Sequence, residues 1–191
     1  MTCMIVRIAR LAVAAASITC VPVPASAQPG PGPAFDAKIS LRTGEGGTYL
    51  KRGGFALELT GALPLRQVSA GTLVGGLGMG VESPFWKLTP CVRGPDGYCI
   101  PDFPGMIYVG GLWGIERGSR SSGWARALAG PYAYGMFTGD KGVGVQGRVD
   151  LATRARGGVS LVASLRQDVL PSVRGEVLGI TSLGAGVRIH R

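Results

Sequence analysis

The chain has 191 residues, 46% of them hydrophobic and 16% charged, with 33 glycines, 13 prolines and a formal net charge of +9. That length suits one domain. Asparagine is absent and His190 is the only histidine, which excludes an N-glycosylation sequon, a multi-histidine metal site, and any Ser-His or Cys-His pair not using the penultimate residue.

Residues 1–27 have the three parts of a secretory signal peptide. Arg7 and Arg10 give a positive start, residues 11–21 a short apolar run, and Ala25-Ser26-Ala27 the small residues of a cleavage site before Gln28. Ser17-Ile18-Thr19-Cys20 fits a lipoprotein signal poorly. Cleavage removes Cys3, Cys20 and two arginines, leaving 18 Lys and Arg against 11 Asp and Glu, or +7. Only Cys91 and Cys99 remain. In an oxidising compartment their expected state is a disulfide. It closes a small loop around the turn sequence Gly94-Pro95-Asp96-Gly97. Two cysteines without nearby histidine cannot form a four-ligand structural zinc site.

Residues 28–34 are a Pro/Gly-rich lead expected to be disordered, and residues 35–191 form the domain. Period-two alternation recurs along it, the signature of half-buried strands. In 35–42, Phe35, Ala37, Ile39 and Leu41 alternate with Asp36, Lys38, Ser40 and Arg42. In 55–63, Phe55, Leu57, Leu59 and Leu63 oppose Glu58 and Thr60. Residues 72–81 put Leu73, Leu77, Met79 and Val81 on one face and mostly glycine on the other. Residues 105–116 and 125–137 are apolar on both faces, and Pro131 places a bulge in the second or demotes it. In 143–154, Val143, Val145, Val149 and Leu151 oppose Gln146, Arg148, Asp150 and Arg154. Residues 159–169 set Val159, Leu161, Ala163, Leu165 and Val169 against Ser160, Ser164, Arg166 and Asp168, and a last strand covers 174–189. Each of the eight strands approaches the length that crosses a bilayer when tilted.

With both chain ends on the periplasmic side, the outer connections are 43–54, 82–104, 138–142 and 170–173, and the inner ones 64–71, 117–124 and 155–158. The longest falls outside, as in outer-membrane barrels. Tyr49, Phe55, Phe85, Trp86, Tyr108 and Phe137 map near the outer strand ends, and Phe35, Trp113 and Trp124 near the inner ones. Two such girdles flank the apolar band of a membrane barrel.

A signal peptide followed by eight amphipathic strands resembles the small bacterial outer-membrane β-barrel proteins. The last strand of that family carries a polar-x-Gly-x-x-apolar-x-apolar signal read by the barrel-assembly machinery. Ser182, Gly184, Val187 and Ile189 stand in those positions, with aliphatic residues where the family uses aromatics and with His190 and Arg191 beyond. The resemblance implies an all-β, eight-stranded antiparallel up-and-down transmembrane β-barrel in the outer membrane of a Gram-negative cell. It also implies outer-membrane lipid as surroundings.

In such a barrel the polar faces fill the lumen. Lys38, Arg42, Glu58, Arg148, Asp150, Arg166, Asp168 and Arg188 are expected to form a lumenal charge network, with glycine faces leaving room for the arginines. The functional alternatives are a narrow ion path or a catalytic carboxylate pair, Asp150 and Asp168. Gly142–Gly147 matches G-x-G-x-x-G, but a strand rather than a helix follows, so no cofactor is expected. His190 reads as a solvated tail residue. Lys and Arg are scattered and the chain is exported, which argues against nucleic acid. Lys51, Arg52, Lys87, Arg93 and Lys141 would face lipopolysaccharide or another anionic surface polymer. Residues 82–104 contain five prolines and the aromatics Phe85, Trp86, Tyr98 and Phe103, a stiffened loop suited to surface contact or to a protective lid.

The expected function is a monomeric, non-catalytic outer-membrane barrel serving membrane structure, surface contact or weak transport. The competing readings are a soluble lipocalin-like barrel holding an apolar ligand and a lipid-acting outer-membrane enzyme.

Overall fold

A computed structural model describes residues 32–45, 53–84, 91–93, 99–101, 105–119, 121–137, 139–173 and 176–190. Residues 1–31, which hold the expected signal peptide and most of the expected lead, lie outside them. The strands are β1 (Ala34–Glu45), β2 (Gly53–Val68), β3 (Gly71–Pro84), β4 (Cys91–Arg93), β5 (Cys99–Pro101), β6 (Met106–Ser119), β7 (Gly123–Met136), β8 (Lys141–Ala152), β9 (Val159–Val173) and β10 (Glu176–His190). Eight of them close a barrel in the order β1-β10-β9-β8-β7-β6-β3-β2, every neighbour antiparallel, while β4 and β5 form a separate ribbon. All-β, antiparallel and up-and-down, this is the expected architecture, with the ribbon added inside the longest connection.

Register explains the closure. Arg42 faces Gly54 on β2 directly. Followed the other way round, the pairs Arg42–Ser182, Ser182–Arg166, Arg166–Arg148, Arg148–Leu128, Leu128–Gly114, Gly114–Val74 and Val74–Pro64 return to β2 at Pro64. The offset of ten residues (64 minus 54) is the shear that tilts the strands.

Several boundaries differ from the sequence expectation. Residues 64–71 are mostly strand: β2 continues to Val68 through an irregularity between Pro64 and Arg66, and the inner connection shrinks to 69–70. Pro64 supplies no backbone donor, so an irregularity there costs little. Pro131 makes no bulge. The β6–β7 pairing skips from Gly110–Tyr132 to Trp113–Ala129 and resumes in the same register. On its other side Pro131 stays paired with Val145. Residues 170–173 belong to β9 rather than to a loop, and Arg154 lies beyond β8. Gly142–Gly147 lies within β8, where no helix can open for a phosphate.

Polarity is inverted relative to a water-soluble barrel. Leu183, Leu161, Leu41 and Ile39 point outward and are 66%, 64%, 63% and 62% exposed. Lys38, Arg126, Asp150 and Arg188 point inward and are buried. The largest apolar cluster inside is Met106, Tyr108, Tyr132, Tyr134, Met136, Leu170, Leu178 and Ile180. Its residues lie on β6, β7, β9 and β10, in the halves of those strands near the connections opposite the chain termini. Thus β6 and β7 look apolar on both faces because their inward side builds this plug.

The glycine face of residues 72–81 admits Tyr108 and Leu112 rather than the arginines expected there, and that of residues 183–189 meets Ser40 and the Lys38 stem. A Cβ on Gly80 would strike the Tyr108 hydroxyl, one on Gly144 would lie 2.7 Å from the Tyr132 ring, and one on Gly78 would lie 3.1 Å from Leu112. Gly80→Val is therefore expected to cost about 1–3 kcal/mol through overpacking. Gly147→Ala has open space and should be neutral. Urea unfolding of the two refolded variants checks the contrast.

Candidate functional site: the lumenal charge network

The eight charged residues picked from the sequence are all buried inside the barrel. Their alternating positions turn them inward, and the register stacks them at successive levels. Near the chain termini, Arg188 Nε donates to Asp36 Oδ1 at 2.8 Å and Arg188 Nη1 lies 3.1 Å from Glu116. Arg126 bonds Asp36 and, at 2.7 Å, Asp150. Asp150 also accepts from Arg148 Nη2 at 3.2 Å, Lys38 Nζ at 3.3 Å and Ser164 Oγ at 2.6 Å. Glu58 links this cluster to the next, pairing with Lys38 at 3.0 Å, with Arg148, and with Arg166 at 2.9 Å. Arg166 then reaches Asp168 at 2.9 Å and Glu82 at 3.4 Å, and Glu82 holds Arg42. The Tyr108 hydroxyl donates to Glu58 at 2.8 Å, and the Arg166 guanidinium lies 4.1 Å from the centre of the Tyr108 ring.

Sequence reasoning left out Asp36, Glu82, Glu116 and Arg126. Asp36 continues the alternation that contains Lys38. Glu82 continues the inward parity of β3 by one step past Gly80, into what read as loop. Glu116 and Arg126 lie on β6 and β7, where neither face read as polar. With them, the buried set balances: Lys38, Arg42, Arg126, Arg148, Arg166 and Arg188 against Asp36, Glu58, Glu82, Glu116, Asp150 and Asp168. Charges removed from water require this pairing, since a lone buried ion costs several kcal/mol. Among the described residues the lumen is thus a charge-balanced, cross-linked filling with apolar side chains toward one end.

Asp150 and Asp168 do not form a dyad. Asp150 pairs across to Ser164 and Asp168 to Gln146, four residues along the same strand pair. That separates them by roughly 13 Å at about 3.3 Å per residue. The carboxylate of Asp150 is also fully engaged by Arg126, Arg148, Lys38 and Ser164.

Other sites read from the sequence fall as follows. Ser182, Gly184, Val187 and Ile189 lie on β10, with Ser182 buried and Val187 and Ile189 exposed on the outer wall. Phe35 is exposed beside the chain termini, and Phe55 and Phe137 are exposed at the opposite end. Trp113 is exposed midway along β6 rather than at its end. Tyr108 and Trp124 are not girdle residues, because the inward parity of β6 and β7 buries both. His190 is not a free tail: it ends β10, stacks on Trp124 at 5.4 Å, and lies 2.9 Å from Ser160 Oγ. Cys91 and Cys99 stand on the two strands of the ribbon, opposite Pro101 and Arg93. Their side chains, with those of Arg93, Lys51, Arg52, Phe85, Trp86, Lys87, Tyr98 and Phe103, lie outside the described residues. Lys141 is exposed at the start of β8.

A closed eight-stranded barrel with an apolar exterior and a charged, filled interior has the fold of the small outer-membrane β-barrel proteins. Among solved structures, Neisserial surface protein A matches 86% of this chain and 100% of its own at 13% identity, with a TM-score of 0.59. Ail, the attachment invasion locus protein of Yersinia pestis, matches 84% of this chain and 100% of its own at 14% identity and TM-score 0.40. Its complex with the heparin analogue sucrose octasulfate matches 83% and 99%, at 14% identity and TM-score 0.37. No family model and no curated protein matches.

Proposed function

We propose that this chain is an integral protein of the bacterial outer membrane, exported by its signal peptide, monomeric and without catalytic activity. Its lumen is a structural plug and its outer connections form a contact surface. The observation that carries this reading is the inverted polarity. A barrel that buries six cations and six anions while exposing Leu41, Leu161 and Leu183 needs an apolar medium around it. A lipocalin-like barrel needs the reverse, an apolar lumen for its ligand. The balanced pairing favours structural support over transport or hydrolysis. Within this reading, β10 carries the assembly signal, a Cys91–Cys99 disulfide stiffens the ribbon, and Lys141 faces anionic surface polymer.

Membrane fractionation followed by electrophoresis with and without boiling tests it. The expected result is recovery with the outer membrane and a mobility change on boiling. A soluble periplasmic protein without that change would overturn the membrane reading. In planar bilayers the purified protein is expected to give no stable conductance, because the lumenal charges among the described residues are balanced and paired across the barrel. Steady single-channel currents would instead assign it transport.

A further inference from the structure

The geometry points to a second functional surface, an arginine rim at the end of the barrel that carries both chain termini, built to hold the phosphates of anionic phospholipids. It rests on the membrane reading above. It arises from how charge is sorted once the lumen is accounted for.

The lumen is neutral, so the positive charge of the mature chain lies outside it. At the terminus end the described residues outside the lumen include Arg66, Arg117, Arg154 and Arg156 and no carboxylate. The two carboxylates of that end, Asp36 and Glu116, are turned inward and paired with Arg126 and Arg188. The other five carboxylates of the mature chain, Glu45, Asp96, Asp102, Asp140 and Glu176, all fall in or beside the connections of the opposite end. Among the described residues, the outward charged side chains at the terminus end are therefore all cationic, while carboxylates are found toward the other end.

Three features select lipid phosphate as the partner. All four cations are arginine, whose planar fork engages phosphate oxygens in pairs. Each follows exposed apolar side chains along the wall: Arg66 comes after Leu63 and Leu65, Arg117 after Trp113, and Arg154 and Arg156 stand between Leu151 and Leu161. Their positions thus fall at the border of the apolar belt, the depth of headgroups, where an arginine can keep its charged end among phosphates. Arg117 also donates to the Ala70 carbonyl, fixing β6 against the turn between β2 and β3. A soluble polyanion would need no apolar belt beside it.

The test uses the full mature chain refolded into phosphatidylcholine vesicles containing a minor fraction of phosphatidylglycerol. Spin-labelled lipids report which headgroup is held at the protein surface. Wild type is expected to prefer phosphatidylglycerol by at least about fivefold, the factor for one arginine near an anionic surface. The preference should fall toward unity in the variant Arg66→Gln, Arg117→Gln, Arg154→Gln, Arg156→Gln. Should that variant not refold, Arg154→Gln with Arg156→Gln, two exposed positions beyond β8, is expected to lose a measurable part of the preference. Inserted, heat-modifiable wild type with no headgroup preference overturns the rim alone. Unchanged preference in the variants does the same, as does complete competition by inorganic phosphate, which would assign the rim to the free ion. Failure of wild type to insert overturns the membrane reading, and the rim with it.

Discussion

Asp150→Ala is expected to be among the most damaging single substitutions in the barrel, with a loss of about 3–5 kcal/mol of folding stability. The carboxylate receives Arg126, Arg148, Lys38 and Ser164, and like Glu58 it is held by three cations at once. Its removal leaves six buried cations against five anions among the described residues and takes a carboxylate partner from three of them at once. Lys38→Leu combined with Asp150→Leu removes one charge of each sign and substitutes apolar volume. Buried ion pairs are frequently replaceable in this way at little cost. The double variant should therefore lose much less than the sum of its single changes. Urea unfolding of the refolded proteins measures both. A loss below about 1 kcal/mol for Asp150→Ala would mean that the network fills the lumen without holding it together.

The sequence made the barrel legible where each strand separates its faces cleanly. In β1, Asp36, Lys38, Ser40 and Arg42 alternate with Phe35, Ala37, Ile39 and Leu41, and the same rhythm in β2, β8, β9 and β10 identifies eight of the twelve charges that the structure buries. Two strands withheld their orientation for a physical reason. The lumen is not uniformly polar, since Met106, Tyr108, Tyr132, Tyr134 and Met136 plug one half of it. A strand lining that half is apolar inside and apolar outside, so alternation carries no contrast. Arg126 and Glu116 were hidden by that loss of contrast, not by any irregularity of the chain. Strand ends were hidden differently. Glu82 keeps the parity of β3 but is followed at once by Ser83 and Pro84, which read as a turn. The continuation of β2 past Pro64 needed the partner strand, because only pairing with β3 shows that the ladder resumes at Arg66.

Glycine shows a related limit. The sequence shows where side chains are missing but not which neighbour fills the space. The long arginines were the natural expectation opposite β3, yet Tyr108 stands directly across from Gly80 and brings its hydroxyl to Glu58. The ring thus joins the apolar plug to the ion-pair network. Arg166, stacked on that ring and bonded to Glu58 and Asp168, belongs to both.

Leu183→Arg is expected to cost about 2–4 kcal/mol in a bilayer, the penalty for a cation on the lipid face near the midplane. Leu183 lies midway along β10, points outward, and faces Leu41 and Leu165 on the two adjoining strands. Leu65→Arg provides the comparison. It is equally outward but next to Arg66 at the terminus end, where the penalty falls to about 0–1 kcal/mol. Unfolding measured in the same vesicles should separate the two by at least about 2 kcal/mol. Equal, negligible losses at both positions would mean that water and not lipid surrounds the wall. The contrast with Asp150 then gives the organising physics in one pair of measurements. Inside, deleting a charge destabilises because its partners are buried and committed. On the wall, adding one destabilises because no partner is there to receive it.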